Sequence, residues 1–229
     1  MNTVTLPASA VHDVLKAAVP FAGKDTTLPM LCAVQLDTID GYLVATATNR
    51  YVVGRSRAKL TEGEWAGPFL MTMADAKRFL AAAKDTAAVM LPCTLSVDEG
   101  ARTLSLHTEQ ATLNAAELDE EFPKVAHLLR TPPTGSTGHS AITPEVLKPF
   151  MGLARDRYEK NMPIEFHFSP PNKIVLINFS DHFQGALMPY RMPEEREPFP
   201  RPWERGSGPH PDSAPDAPRP DRHTRAGAR

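Results

Sequence analysis

Basic side chains recur at helical spacing in three separate stretches of this chain, and phosphate binding is the chemistry they could perform. The first stretch exposes His12 and Lys16, with Lys24 just beyond it. The second exposes Lys77, Arg78 and Lys84, and the third Lys148, Arg155 and Arg157. Faces of Lys and Arg bind phosphate backbones without reading bases. The acids gather elsewhere, at Asp37, Asp40, Glu62, Glu64, Asp98, Glu99 and along residues 117 to 121. Yet Asp13, Asp75 and Asp85 sit among the cations, and solvated helices carry Lys and Arg for solubility alone. Helix charge by itself favours that plainer reading.

Other chemistry is thin. The eight histidines show no HExxH spacing, and no GxSxG, P-loop or GxGxxG motif is present. His167 and His182 fall in or beside strands, where structural roles are commoner than metal ligation. Cys32 and Cys93 are the only cysteines and lie far apart. Neither a zinc site nor a disulfide framework follows, and two ordinary thiols are expected. The chain reads as non-catalytic, with no cofactor and no metal.

Charge and hydropathy narrow the class further. The net charge is −2, which argues against a general nucleic-acid binder. No apolar run approaches a membrane span and no leader pattern appears, so the expectation is a cytoplasmic protein without membrane contact. Residues 194–229 are dominated by Pro, Arg, Glu, Asp, Gly, Ser and His. Such a segment buries too little apolar surface to offset the entropy of ordering it and reads as a disordered Pro/Arg-rich tail.

The elements that must position the cations repeat three times. A short strand runs into an amphipathic helix at Val4–Ala18, Phe69–Ala83 and Ser140–Ala154. Without a gap, Leu6, Met71 and Ile142 align, as do Val14, Phe79 and Phe150, and then Leu15, Leu80 and Met151. Three alternating strands with turns follow each helix. The fold class is therefore α+β: strand–helix–three-strand half-domains, with antiparallel sheets and helices on one face.

Helices are expected near Ser9–Ala22, Met73–Lys84 and Thr143–Arg155, the third short or bent because Pro149 interrupts it. Thr143 reads as its N-cap. The expected core is Leu6, Val14, Leu15, Val34, Leu36, Leu43, Phe79, Leu80, Leu95, Leu104, Val146, Phe150, Phe166 and Leu176. The boundaries read as 1–118 for a domain of two half-units, 119–138 for a linker and 139–193 for a third half-unit. The lone third unit leaves too little core to stand alone, which points to a homo-oligomer.

Two segments carry a family resemblance. Leu28-Pro29-Met30-Leu31, followed by Leu43 to Tyr51 with its Ala45-Thr46-Ala47-Thr48-Asn49-Arg50-Tyr51 turn, resembles the opening of the bacterial DNA polymerase III beta sliding clamp. Met188-Pro189-Tyr190-Arg191-Met192 resembles that family's closing Met-Pro-Met-Arg. The strand–helix–three-strand repeat is also the family's half-domain. Asn49 stands where the family usually has Asp, and three half-units stand where a bacterial subunit has six.

The resemblance implies the DNA-clamp fold and a processivity factor of DNA replication that encircles double-stranded DNA and tethers a polymerase. Its partners would be duplex DNA, a DNA polymerase, a clamp loader and further copies of itself. Lys16, Lys24, Arg50, Lys77, Arg78, Lys84, Lys148, Arg155 and Arg157 would face DNA. Met188, Pro189, Tyr190, Arg191 and Met192 would line a groove for partner peptides. The alternative is a clamp-fold interaction protein that forms no ring and mimics or blocks a resident clamp.

Overall fold

The computed structural model describes residues 2–87, 91–129, 140–153, 163–168 and 173–191, with only the backbone of 85–87. The first unit comprises strand β1 (Asn2–Pro7), helix α1 (Ala8–Ala18) and strands β2 (Ala33–Ile39), β3 (Tyr42–Thr48) and β4 (Val52–Lys59). A short strand β5 (Glu62–Glu64) precedes the second unit. That unit comprises β6 (Phe69–Thr72), α2 (Met73–Ala87), β7 (Pro92–Asp98), β8 (Thr103–His107) and β9 (Thr112–Ala116). The third contributes α3 (Pro144–Met151), β10 (Glu165–His167), β11 (Val175–Phe179) and β12 (Phe183–Leu187).

The first strands change places. β1 leaves its own unit and pairs antiparallel with β7, with Leu6 opposite Cys93. β6 crosses the other way and pairs with β2, with Met71 opposite Val34. The aligned residues Leu6 and Met71 thus occupy matching places, both fully buried, as a pseudo-two-fold between the units requires. The resulting sheets run β5-β1-β7-β8-β9 and β10-β11-β12-β4-β3-β2-β6.

α1 stops four residues before the predicted end. Pro20 has no N–H to donate to the turn before it, and the chain tightens into a 3-10 turn at Val19–Phe21. The first amide of α1 is satisfied by the Leu91 carbonyl at 2.9 Å, in place of a capping side chain. α2 is capped reciprocally: Thr72 Oγ1 accepts from the Asp75 amide at 3.1 Å and donates to Asp75 Oδ2 at 2.8 Å. Thr143 holds the N-cap position of α3 with extended backbone, but its side chain makes no cap bond. α3 is short, as Pro149 predicts, and Arg155 lies outside the described residues.

The third unit joins the first edge to edge. β12 pairs antiparallel with β4, and Gly185 stands directly opposite Gly54. A Cβ on Gly54 would enter the Phe21 ring, and one on Gly185 would come within 2.5 Å of Phe150 Cε1 and 2.9 Å of the Val53 carbonyl oxygen. The two glycines make room for the Phe21 and Phe150 rings, which meet edge to face at 4.8 Å with Phe183 at 5.3 Å from Phe21. The predicted first strand of this unit is reduced to one bridge, Ala141 with Tyr190.

Side-chain alternation sorts the seven-stranded sheet into two faces. Val52, Val175, Ile177, Phe183 and Leu187 join the helices in the main core, while Val53, Leu176 and Ala186 face the other way. On that outer face lie the end of the first domain at Leu118 and the segment read as a linker. Leu118 and Phe122 cover Ala33 and Leu70, and Val125, Leu128 and Leu129 cover Val53, Leu176 and Ala186. The described part of this linker is a packed strap. Of the expected core, Leu80, Val146 and Phe166 are only half-buried, since each lies at the rim of its helix or sheet. Leu176 is buried, but under the strap.

Two outcomes follow. Gly185→Ala should lower stability by about 2–3 kcal/mol, because a methyl group forced between Phe150 and the Val53 carbonyl overpacks the seam. A lower urea midpoint measures it. Burial pushes the Cys93 thiol up to about 11, so at pH 8 it stays protonated and inert. A disulfide reagent should label the half-buried Cys32 in native protein and Cys93 only on unfolding.

Candidate nucleic-acid interface

α1 and α2 pack against each other, and α3 stands on the same sheet face as α1. Lys16, Lys77, Arg78, Lys84 and Lys148 are all exposed on these helices. Lys16, Lys84 and Lys148 each occupy the last turn, where a cation also offsets the negative end of the helix dipole. Arg155 and Arg157 lie outside the described residues.

Two of the acids among these cations, Asp75 and Asp13, are engaged locally, while Glu145 stands exposed in the first turn of α3 and the Asp85 side chain lies outside those described. Asp75 caps α2 and pairs with Arg78 Nη1 at 2.7 Å. Asp13 meets His12 Nδ1 at 3.0 Å. His12, expected at the surface, is 8 % exposed, on a helix that packs against both α2 and the sheet. Lys77, Lys84 and Lys148 form no ion pair among the described residues, whereas Arg78 is partly neutralised by Asp75.

Lys24 precedes Asp25, and Asp25 links this loop to Arg50. Asp25 lies close enough to Arg50 to feel its charge, and its carboxyl is held below the usual range. Hydrogen bonds from the Thr27 hydroxyl at 2.6 Å and the Thr27 amide at 3.1 Å are the larger causes, with Arg50 adding to them. Arg50 adopts a left-handed φ of 80° in a turn built by its neighbours. Asn49 Oδ1 accepts from the Tyr51 and Val52 amides, both at 3.0 Å. Thr48 Oγ1 accepts from Arg50 N and donates to the Val52 carbonyl. An amide at position 49 thus performs the turn-closing role that a carboxylate performs equally well.

Met188, Tyr190 and Arg191 are exposed and Pro189 is half-buried; Met192 lies outside the described residues. Met188 N bonds to the Tyr51 carbonyl at 2.8 Å, and Tyr190 N to Ala141 O at 2.7 Å. Tyr51, 58 % exposed, is therefore brought beside the exposed Met188. Sequence reasoning had not tied it there, because only strand pairing brings residues 51 and 188 together. Two cavities lie elsewhere, around Arg57 and the Ser180–Phe183 turn.

Sequence reasoning also missed two cations. Arg55 and Arg57 alternate with Gly54 and Ser56 along β4 and so project from the outer face, beside a cavity of about 660 Å³. Arg57 Nε donates to Asp181 O at 2.8 Å, and its guanidinium lies 4.5 Å from the Tyr42 ring centroid. The period-two pattern Val53-Gly54-Arg55-Ser56-Arg57 was the available signal. No group of three or more His, Cys, Asp or Glu residues is placed to hold a metal among the described residues. No helix among them is long and apolar enough to cross a membrane.

No protein-family model and no curated protein matches the sequence. Solved structures do match the fold. The DNA polymerase III beta subunit of Thermotoga maritima superposes with a TM-score of 0.69 at 15 % identity, over 84 % of this chain and 66 % of that one. The DNA polymerase sliding clamp of Bacillus subtilis gives 0.67 at 12 %, over 84 % and 65 %. That of Pseudomonas aeruginosa gives 0.66 at 11 %, over 84 % and 67 %. The chain thus spans about two thirds of the length of these structures. Crossed first strands, helices on one face and edge-to-edge joined units are, in this chain, the α+β fold of the bacterial DNA polymerase III beta-subunit sliding clamps.

Proposed function

We propose that the chain is a non-catalytic, clamp-like processivity factor of DNA replication. It holds double-stranded DNA against its helices as a homo-oligomer and tethers a DNA polymerase delivered with a clamp loader. The observation that carries this reading is the helix face itself. Lys77, Lys84 and Lys148 stand exposed there, and Asp13 and Asp75 are already engaged by His12, Thr72 and Arg78. Such cations act diffusely and reach only phosphates, which suits a protein that slides. Lys24 and Arg50 add cations beyond the helices, and Arg155 and Arg157 belong to the same proposed set. The patch of Met188, Pro189, Tyr190, Arg191 and Met192, extended by Tyr51, is the proposed seat for partner peptides.

Two measurements test this. Changing Lys77, Arg78 and Lys84 together to Glu should weaken duplex binding without unfolding the protein. It should also reduce the slope of log affinity against log salt by about 1 for each phosphate that is no longer neutralised. Wild-type binding should be indifferent to sequence. Equal retention of variant and wild type on circular duplex DNA would remove the helix face from the interface. Separately, Met188→Ala with Tyr190→Ala should abolish stimulation of a polymerase while DNA retention is kept; loss of both together would argue against a dedicated partner patch.

A further inference from the structure

Two pairing rules operate within this chain, and each leaves one element over. The first is strand exchange: the first two units lend each other β1 and β6. In the third unit, the segment aligned with those strands makes only the Ala141–Tyr190 bridge, and β10 pairs only with β11 among the described residues. The helix repeats the message. Leu15 is fully buried where α1 meets α2, whereas Met151 at the aligned position of α3 is 55 % exposed. The third unit has the face for a mate.

The second rule is the joint between last strands. β4 and β12 close their units and pair with each other antiparallel. β9, the last strand of the second unit, pairs only with β8 among the described residues. The bonds Thr108 N to Ala111 O and Glu117 N to Arg102 O, both 2.9 Å, set the phase of that ladder. Leu113 and Ala115 then bond to β8, and the amides of Thr112, Asn114 and Ala116 point to the open edge. Edge strands are commonly blunted by shortness, charge or proline. β5 at the other end of this sheet is blunted, being three residues long with Glu62 and Glu64 exposed. β9 reads Thr-Leu-Asn-Ala-Ala, with neither charge nor proline.

With β4 and β12 already joined, the complement left for β9 in an assembly of identical chains is another β9; by the same logic, the mate of a third unit is another third unit. Both contacts are self-complementary, as a twofold axis requires. We propose that the chain assembles with copies of itself through two different twofold contacts, β9 against β9 and third unit against third unit, so that its closed assembly contains an even number of chains. This deepens the homo-oligomer of the proposed function, and the two contacts do not depend on its DNA role.

Light scattering on the full chain tests the contacts. Wild type should have the mass of an even-numbered assembly of four or more chains, because the two contacts lie on different axes. Asn114→Pro removes an outward amide while leaving the β8 ladder intact, and should reduce the assembly to dimers. Asn114→Lys, which sets like charges face to face across the axis, should do the same if the proline variant loses its native circular dichroism. Met151→Asp should also leave dimers, and Asn114→Lys with Met151→Asp should leave monomers. A monomeric, dimeric or odd-numbered wild type overturns the proposal, as does a natively folded Asn114→Lys or Met151→Asp variant of unchanged mass. Masses that follow this pattern in a protein not retained on circular DNA would uphold the contacts and reject the processivity role.

Discussion

Each of the first two half-units depends on a strand supplied by the other. β1 completes the sheet of the second unit and β6 that of the first, so neither sheet closes until both are made. The long-range pairing carries a loop-closure cost that only cooperative burial offsets. Leu6 and Met71 sit at its centre, fully buried, and the α1–α2 contact fills the space between the sheets. The twofold relation of the units and the common helix face both follow from this exchange.

The third unit is attached by a different device. Where β4 meets β12, Gly54 and Gly185 face each other, and the rings of Phe21 and Phe150 occupy the volume their side chains would fill. Packing at interior density leaves no slack for a methyl group there. On the opposite face, Val125, Leu128 and Leu129 cover the same junction. The seam is therefore held by backbone hydrogen bonds within the sheet and by apolar burial on both sides. One continuous sheet results, and it fixes where α3 and Lys148 stand relative to α1.

Charge is distributed along the same division of faces. The helices present Lys16, Lys77, Lys84 and Lys148, with Asp75 drawn into a cap and an ion pair and Asp13 into a buried histidine contact. Around the sheets, Arg102 is bound by Glu117 and Asp119 at 2.9 Å, and Arg57 is held over Tyr42. A near-neutral sum thus coexists with an unevenly charged surface. Composition reports only the sum.

What was legible in the residues was whatever has a local cause. The helices follow from apolar spacing. The short third helix follows from Pro149, and the hairpins from Asp40-Gly41 and its counterparts. The ungapped alignment of Leu6, Met71 and Ile142 marks the repeat. The helix cations were legible too, because a helix surface is periodic. The sequence by itself determined three similar units and which face of each is apolar. It could not determine which unit's strand lies beside which. Strand partners are chosen by burial across tens of residues, and nothing local in β1 distinguishes its own sheet from its neighbour's. For the same reason the buried His12, the packed strap at Leu118–Leu129, the Gly54–Gly185 seam and the meeting of Tyr51 with Met188 were decided only by tertiary structure. Each depends on two chain segments sharing one volume, a condition that no window of sequence contains.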